Sequence, residues 1–144
     1  IDASPHVSLS ANLSFTQARF RSGSIGGVEV SGKHIPLVPD KLANASIAWH
    51  LDDRLRLSGT ARHVGRQYYD NDQLNMFPSR MPAFNVLDLR LAYENGDWTT
   101  SLSVNNILDK QYYSYAIRNG AGTSFNAYPQ AGRALMASFH LRMH

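Results

Sequence analysis

The sequence predicts an all-β protein, an antiparallel meander of about six strands. Six segments alternate apolar and polar residues with the period of two that a pleated strand has. The connections between them fall into two classes: long after the first, third and fifth segments, and tight after the second and fourth. No segment shows the periodicity of an amphipathic helix.

The first strand is predicted over residues 7–20, where the alternation is cleanest. Val7, Leu9, Ala11, Leu13 and Phe15 share one face, and Ser, Asn and Thr occupy the other. Residues 21–40 are predicted to form a loop, because glycine and proline interrupt the pattern, with a short strand possible at 28–30.

The second and third strands are predicted over residues 41–51 and 54–66, joined by a tight turn at Asp52-Asp53. Residues 67–83 are a second long loop, because they combine two prolines with a high content of Tyr, Asn and Asp.

The fourth and fifth strands are predicted over residues 84–93 and 98–109. Asn95-Gly96 lies between them and favours a tight hairpin, since both residues accept positive φ. Residues 110–130 form the third long loop, and a sixth strand is predicted over 132–143.

Two features favour a membrane barrel over a soluble sandwich. Because consecutive strands alternate direction, all the long loops fall at one rim and the tight turns at the other, as in outer-membrane barrels. Aromatic residues also cluster at both levels, where their rings suit a membrane–water boundary. The predicted interface residues are Trp49, Tyr93 and Trp98 beside the tight turns, and Tyr112 and Tyr113 beside a long loop.

The strand count leaves alternatives open. A small closed barrel needs about eight strands, and the plugged transporters have about 22. Six strands are then a segment of a large transmembrane β-barrel, which the resemblance described below makes its closing segment, or a complete small barrel (an adhesin or structural protein) with two further strands. A soluble all-β binding domain is a third alternative, because a one-sided soluble sheet alternates in the same way.

Composition argues against several function classes. There is no cysteine, and the net charge of +3 comes from scattered basic residues, so we expect no nucleic-acid partner. The histidines lack metal-ligand spacing, so no metal site is predicted; they are His6, His34, His50, His63, His140 and His144. Asp70-Asn71-Asp72 is interpreted as a turn. Without a nucleophile motif or paired carboxylates, we expect neither an enzyme nor a cofactor.

Three stretches resemble a known family. NNILDKQYY at 105–113, followed by YPQAGR at 128–133 and a last alternating strand, resembles the closing segment of TonB-dependent outer-membrane receptors. GKHIPLVP at 32–39 is similar to the segment that leads into an earlier strand of the same family. The resemblance covers essentially the whole chain.

The resemblance implies a function. Residues 1–144 would be the carboxy-terminal barrel segment, without the plug domain, of a receptor in the outer membrane of a Gram-negative bacterium. Such a receptor imports a metal chelate (siderophore-like), or haem, vitamin B12 or an oligosaccharide, with energy that the TonB complex supplies through upstream parts. Its partners would be membrane lipid and this ligand, and an isolated fragment would self-associate through its open sheet edges.

Ligand contacts in this family come from the long loops and the upper wall of the lumen. By chemistry the candidates are Arg80, Tyr115, Arg118 and Asn119, because Arg offers fixed donors for an anionic chelate and Tyr offers a flat face with a hydroxyl. The alternative is that these are solvated loop residues.

Overall fold

The computed structural model describes residues 2–143, and its strands are distributed along this whole range. In chain order the strands are β1 Asp2–Ser4, β2 Val7–Phe15, β3 Ser24–Ile25, β4 Val28–Glu29, β5 Lys41–His50, β6 Leu55–Val64, β7 Phe84–Asn95, β8 Trp98–Asn105, β9 Tyr113–Arg118, β10 Phe125–Pro129 and β11 Ala134–Leu141.

One antiparallel sheet dominates the fold. Its order is β1-β2-β5-β6-β7-β8-β11, and two small hairpins, β3-β4 and β9-β10, lie apart from it. The six long strands are therefore neighbours in the order in which they occur, once the hairpins are set aside. The predicted all-β meander is confirmed.

The register gives the sheet two different faces. One row across it joins Leu9, Ile47, Gly59, Leu89 and Val104 in successive strand pairs. The adjacent row on the opposite face joins small hydroxyl residues with Asp88, and the Ser10 and Ser46 hydroxyls are 2.7 Å apart. The sheet is thus apolar on one side and polar on the other, as the alternation predicts.

The apolar face is uncovered. Leu13 on β2 is 63% exposed and Phe139 on β11 is 66% exposed. A contiguous apolar surface of this kind marks a protein or membrane contact.

The connections are sorted by length, as predicted. We name the three long connections L1 (16–40), L2 (65–83) and L3 (106–133), and all three lie at one end of the strands, the long-loop rim. The connections 51–54 and 96–97 lie at the other end, the short-turn rim.

Several predicted boundaries were wrong. The first strand ends at Phe15 and not at residue 20, and residues 18–20 instead pair irregularly with 33–35 inside L1. The fifth ends at Asn105, because Asn106 takes a φ of 51° that no strand continues. Residues 110–130, predicted as loop throughout, contain the β9-β10 hairpin.

A compact core lies among the long loops rather than against the sheet's apolar face. Tyr69, Met81 and Ala116 are buried together, and Leu37, Phe77 and Tyr113 pack against them. Among residues 2–143, no helix is long and apolar enough to cross a membrane.

Candidate functional site at the long-loop rim

Hydrogen bonds join L1 to L2. The Asn75 side chain binds both backbone groups of His34, accepting from its N–H at 2.6 Å and donating to its carbonyl at 3.0 Å. The Leu37 N–H donates to the Tyr68 carbonyl at 3.0 Å. These bonds hold the two loops as one surface.

The β9-β10 hairpin of L3 is bound to L2 through Asp70. The Asp70 N–H donates to the Ala116 carbonyl at 3.0 Å, and the Arg118 N–H donates to the Asp70 carbonyl at 2.9 Å. These two bonds form a parallel bridge between Asp70 and Ile117. The three loops therefore act as one assembly above the sheet.

Aromatic rings fill the interior of this assembly. The Tyr69 ring lies 4.9 Å from the Phe77 ring, edge to face, and 4.6 Å from the Phe125 ring, measured between centroids. Aromatic pairs at these separations add stability beyond the area they bury. The interior is thus a small hydrophobic core that fixes the loop backbones.

Tyr115 and Arg118, two of the predicted ligand residues, lie together on β9. The Tyr115 hydroxyl donates to Oδ2 of Asp70 at 2.6 Å, and this bond raises the pKa of Tyr115 above its ordinary value. The Arg118 Nε donates to the Asn71 carbonyl at 3.1 Å. Both side chains are half-buried, so each also presents part of its surface to solvent.

Asn119, the third predicted ligand residue, is engaged in its own turn. Its Oδ1 accepts hydrogen bonds from the N–H groups of Thr123 and Ser124, and its Nδ2 donates to both of their hydroxyls. This pattern closes the connection between β9 and β10. These bonds engage both the oxygen and the nitrogen of the Asn119 amide. A ligand role for Asn119 stays a prediction.

Arg80, the fourth, lies in a separate cluster between L1 and L2. Its guanidinium carbon is 5.6 Å from the Tyr68 ring centroid, and its Nη1 is 3.9 Å from Oδ2 of Asp40. The His34 ring stacks on Tyr68 at 5.2 Å. Among residues 2–143, no hydrogen bond or ion pair joins Arg80 to the other three candidates.

The charge environment of His34 is positive. Burial, then Arg19 and Arg80, lower the pKa of His34, and Asp40 opposes them. The structure therefore favours a neutral His34 ring against Tyr68.

Two residues fix the backbone at the base of the loops: Gly65, which the sequence did not single out, and Asp72, which it placed in a turn. Gly65 lies where any side chain would overlap Oδ1 of Asp40 and come within 2.9 Å of the Lys41 nitrogen. Asp72 is fully buried, and its Oδ1 accepts from the N–H groups of Met76 and Phe77. The turn interpretation of 70–72 agrees with these bonds, whereas the Gly65 contact is long-range and has no local sequence signal.

The residues of the NNILDK stretch close L3 at its base. The Asn106 side chain is buried; it donates to the Lys110 and Ala131 carbonyls and accepts from the Lys110 N–H. Its own N–H donates to Oδ1 of Asp88 at 2.7 Å. The NNILDKQYY and YPQAGR stretches, two of the three that carry the family resemblance, are thus in contact with each other.

The predicted interface aromatics fall into two groups. Tyr93 and Trp98 lie on the apolar face at the short-turn rim with ring centroids 5.5 Å apart, and Trp49 lies on the same face at that end. Tyr112 stacks on Phe84 at 4.3 Å, and the Tyr113 hydroxyl is 3.4 Å from that of Tyr69. A membrane-boundary position for these five residues stays a prediction.

Residues 2–143 contain no group of three or more His, Asp or Glu side chains placed to hold a metal ion. His144 lies outside the described residues.

The loop assembly carries a net positive charge. L1, L2 and L3 together contain eight Lys or Arg residues and five Asp or Glu residues. Three of those acids are occupied internally: Asp70 by Tyr115, Asp72 by backbone N–H groups, and Asp109 by the Arg133 N–H at 2.9 Å. The surface can therefore attract and bind an anion through Arg side chains.

Comparison with solved structures shows where this sheet occurs. The chain is similar to the ferric-catecholate import receptor Fiu from E. coli K12, with 19% identity and a TM-score of 0.75 over 97% of this chain and 19% of that one. It is similar to the ferric yersiniabactin uptake receptor FyuA from Yersinia pestis, with 23% identity and a TM-score of 0.80 over 96% and 21%.

A third similar structure is the siderophore receptor PiuA from Acinetobacter baumannii, with 19% identity and a TM-score of 0.74 over 96% of this chain and 20% of that one. The chain thus spans about a fifth of each of these structures. At these identities the likeness establishes the fold. No curated protein matches the sequence.

A family model matches the sequence itself. The model described as "TonB dependent receptor-like, beta-barrel" matches residues 3–107, most of the chain. Both this family and the similar structures are transport receptors rather than enzymes, as the sequence predicts. The chain belongs to the TonB-dependent receptor β-barrel family.

Proposed function

We propose that this chain is the carboxy-terminal barrel segment of an outer-membrane receptor that imports an anionic metal chelate with TonB-derived energy. The apolar face would contact the hydrocarbon of a Gram-negative outer membrane, and the polar face would line the lumen. The plug and the segment that engages the TonB complex would belong to upstream parts of the same polypeptide.

The observation that carries the ligand class is the positive loop assembly. Its acids are largely occupied by internal hydrogen bonds, while Arg80 and Arg118 keep surface for a ligand. Two of the similar structures agree with this choice, because one is a ferric-catecholate import receptor and the other a ferric yersiniabactin uptake receptor. An iron chelate with net negative charge suits this surface better than a neutral sugar.

The open sheet argues against the alternative of a complete small barrel. Among residues 2–143, β1 and β11 each pair on one side only, so this sheet does not close into a small barrel. As an isolated piece the chain would associate through these two edges.

The intact polypeptide in the source organism, detected on a denaturing gel with an antibody against this segment, should be several times larger than 16 kDa. A band near 16 kDa would contradict the segment proposal.

Iron uptake tests the transport proposal. Cells that carry the intact polypeptide should take up ⁵⁵Fe from a ferric catecholate complex, and uptake should stop when the gene is deleted or a protonophore removes the energy source. Cyanocobalamin uptake serves as the control and should not change. Unaltered ⁵⁵Fe uptake in the deletion strain, for both catecholate and hydroxamate chelates, would exclude the siderophore class.

A further inference from the structure

The apolar face contains a groove that takes no part in ligand capture at the loops. Two connected depressions of about 560 and 640 Å³ run along it. They share a floor of Ala11, Ala45 and Ala61, and Leu9, Ile47 and Leu89 line the second. Both depressions are shallow and open along one side, so they would hold a chain against the sheet rather than enclose a molecule.

The groove is polar at one end only. His63 and Asn85 line it at the long-loop rim, where the His63 Nδ1 and the Asn85 Oδ1 are 2.7 Å apart. Along the rest of its length the lining is aliphatic, apart from Ser10, Ser46 and Thr60. A ligand that fits must have an apolar chain and a polar head, with the head at the long-loop rim.

A cation stands beside this polar end. Lys41 lies on the same face as His63, one diagonal position away across the β5–β6 pair, a separation of about 7–8 Å between Cα atoms. Its Nζ is 6.0 Å from the Phe15 ring centroid. The one ion pair found within residues 2–143 joins Arg80 to Asp40, so Lys41 has no carboxylate partner in the described chain.

We infer that the groove binds one acyl chain of a phosphorylated glycolipid of the outer leaflet, with a headgroup phosphate on Lys41. This inference rests on the proposed membrane orientation, in which the long-loop rim faces the cell exterior. The Lys41 ammonium neutralises the phosphate, and the His63–Asn85 pair supplies hydrogen-bonding groups for the sugar. Small side chains on the floor leave the room that the acyl chain fills.

Native mass spectrometry of the intact natural polypeptide in detergent, with added hexa-acylated lipid A, tests the inference. We expect one tightly retained lipid A, and at least a fivefold weaker retention of phosphatidylglycerol. Ala61→Leu should abolish retention by filling the groove, and Lys41→Gln should weaken it by three- to tenfold.

Matched controls separate these effects from general disturbance. Ala137→Leu adds the same bulk to the apolar face on β11, away from the groove, and Lys33→Gln removes a charge from L1; both should retain lipid A as the unaltered protein does. Equal retention of phosphatidylglycerol, or a protein dimer that Ala61→Leu disrupts, would overturn the inference.

The outcome is independent of the transport proposal. Lipid A selectivity could fail while ⁵⁵Fe uptake is normal, which would reject the groove inference alone. Failure of the polypeptide to remain folded in detergent or to insert into bilayers would instead contradict the proposed membrane role.

Discussion

The backbone N–H of Arg133 donates a hydrogen bond of 2.9 Å to Oδ1 of Asp109, which ties the end of L3 to its beginning. Gly132 permits this approach, because a side chain there would come within 3.0 Å of the same oxygen. The NNILDKQYY and YPQAGR stretches thus form one clasp at the base of the loop that carries β9 and β10.

Asp109→Ala should loosen this clasp. It removes a charged acceptor and replaces a residue with a φ of 51°, which Ala tolerates poorly. We expect the free energy of local opening of L3 to fall by about 1–3 kcal/mol, measured by hydrogen exchange of amides 106–133. Asp109→Asn is the control, since Asn keeps the acceptor and favours that φ. Equal losses in both variants would mean that the clasp bond does not stabilise L3.

Asn106→Ala should be more damaging. The substitution leaves the Lys110 N–H and the Lys110 and Ala131 carbonyls without the partners that the Asn106 amide provides. Each of these part-buried hydrogen bonds should contribute about 0.5–1.5 kcal/mol. Asn106→Gly keeps the backbone conformation and removes the same bonds, so comparing the two variants in hydrogen exchange separates the cost of φ from the cost of the bonds. A loss in Asn106→Ala below that of a single hydrogen bond would contradict this role.

The strands were predictable and the loop assembly was not, for a physical reason. Leu9, Ile47 and Leu89 reveal their shared face through local alternation, which depends only on the two-residue period of a strand. The β9-β10 hairpin is harder to predict, because its strands are only six and five residues long and lie within a loop rich in Gly, Asn and Ser. Its position depends on Asp70, which is remote in sequence.

The candidate site shows the same division. Chemistry alone selected Arg80, Tyr115, Arg118 and Asn119 from the sequence. The bonds that occupy the Asn119 amide within its own turn, and the separation of Arg80 into a different cluster, depend on tertiary contacts. No alternation or spacing rule encodes those contacts.

The Tyr115–Asp70 hydrogen bond predicts a loss of loop stability at high pH. The folded-state pKa of Tyr115 is raised above the unfolded value of 10.0, so the stabilisation is present below pH 10 and is lost as the pH rises through the folded pKa. The ultraviolet difference spectrum between the unaltered protein and Tyr115→Phe should give this late titration. Asp70→Asn should bring it closer to 10.0; an unchanged titration in that variant would show that Asp70 is not its cause.

His34 predicts a loss of L1–L2 contact at acid pH. Its folded-state pKa lies below the unfolded value of 6.5, so the unfolded form binds a proton more readily. Stability is complete well above pH 6.5 and declines as the pH falls through 6.5 to the folded pKa. Hydrogen exchange of amides 33–40, corrected for intrinsic rates, should accelerate over this range. His34→Phe keeps a ring against Tyr68 and should remove the acceleration; its persistence would assign the effect to another group.

The two faces of the sheet predict opposite responses to a buried charge. Leu89 lies on the apolar face near the middle of β7, whereas Thr60, paired with Asp88, lies on the polar face. In a bilayer, Leu89→Arg should lower the free energy of unfolding by about 2–4 kcal/mol, because the guanidinium enters hydrocarbon. Thr60→Arg, beside the Asp88 carboxylate in a wet lumen, should change it by less than about 1 kcal/mol. Urea unfolding of the intact polypeptide in lipid vesicles measures both. A soluble protein with a core on the polar side would show the reverse order, because Arg at position 89 would remain solvated while Arg at position 60 would be buried.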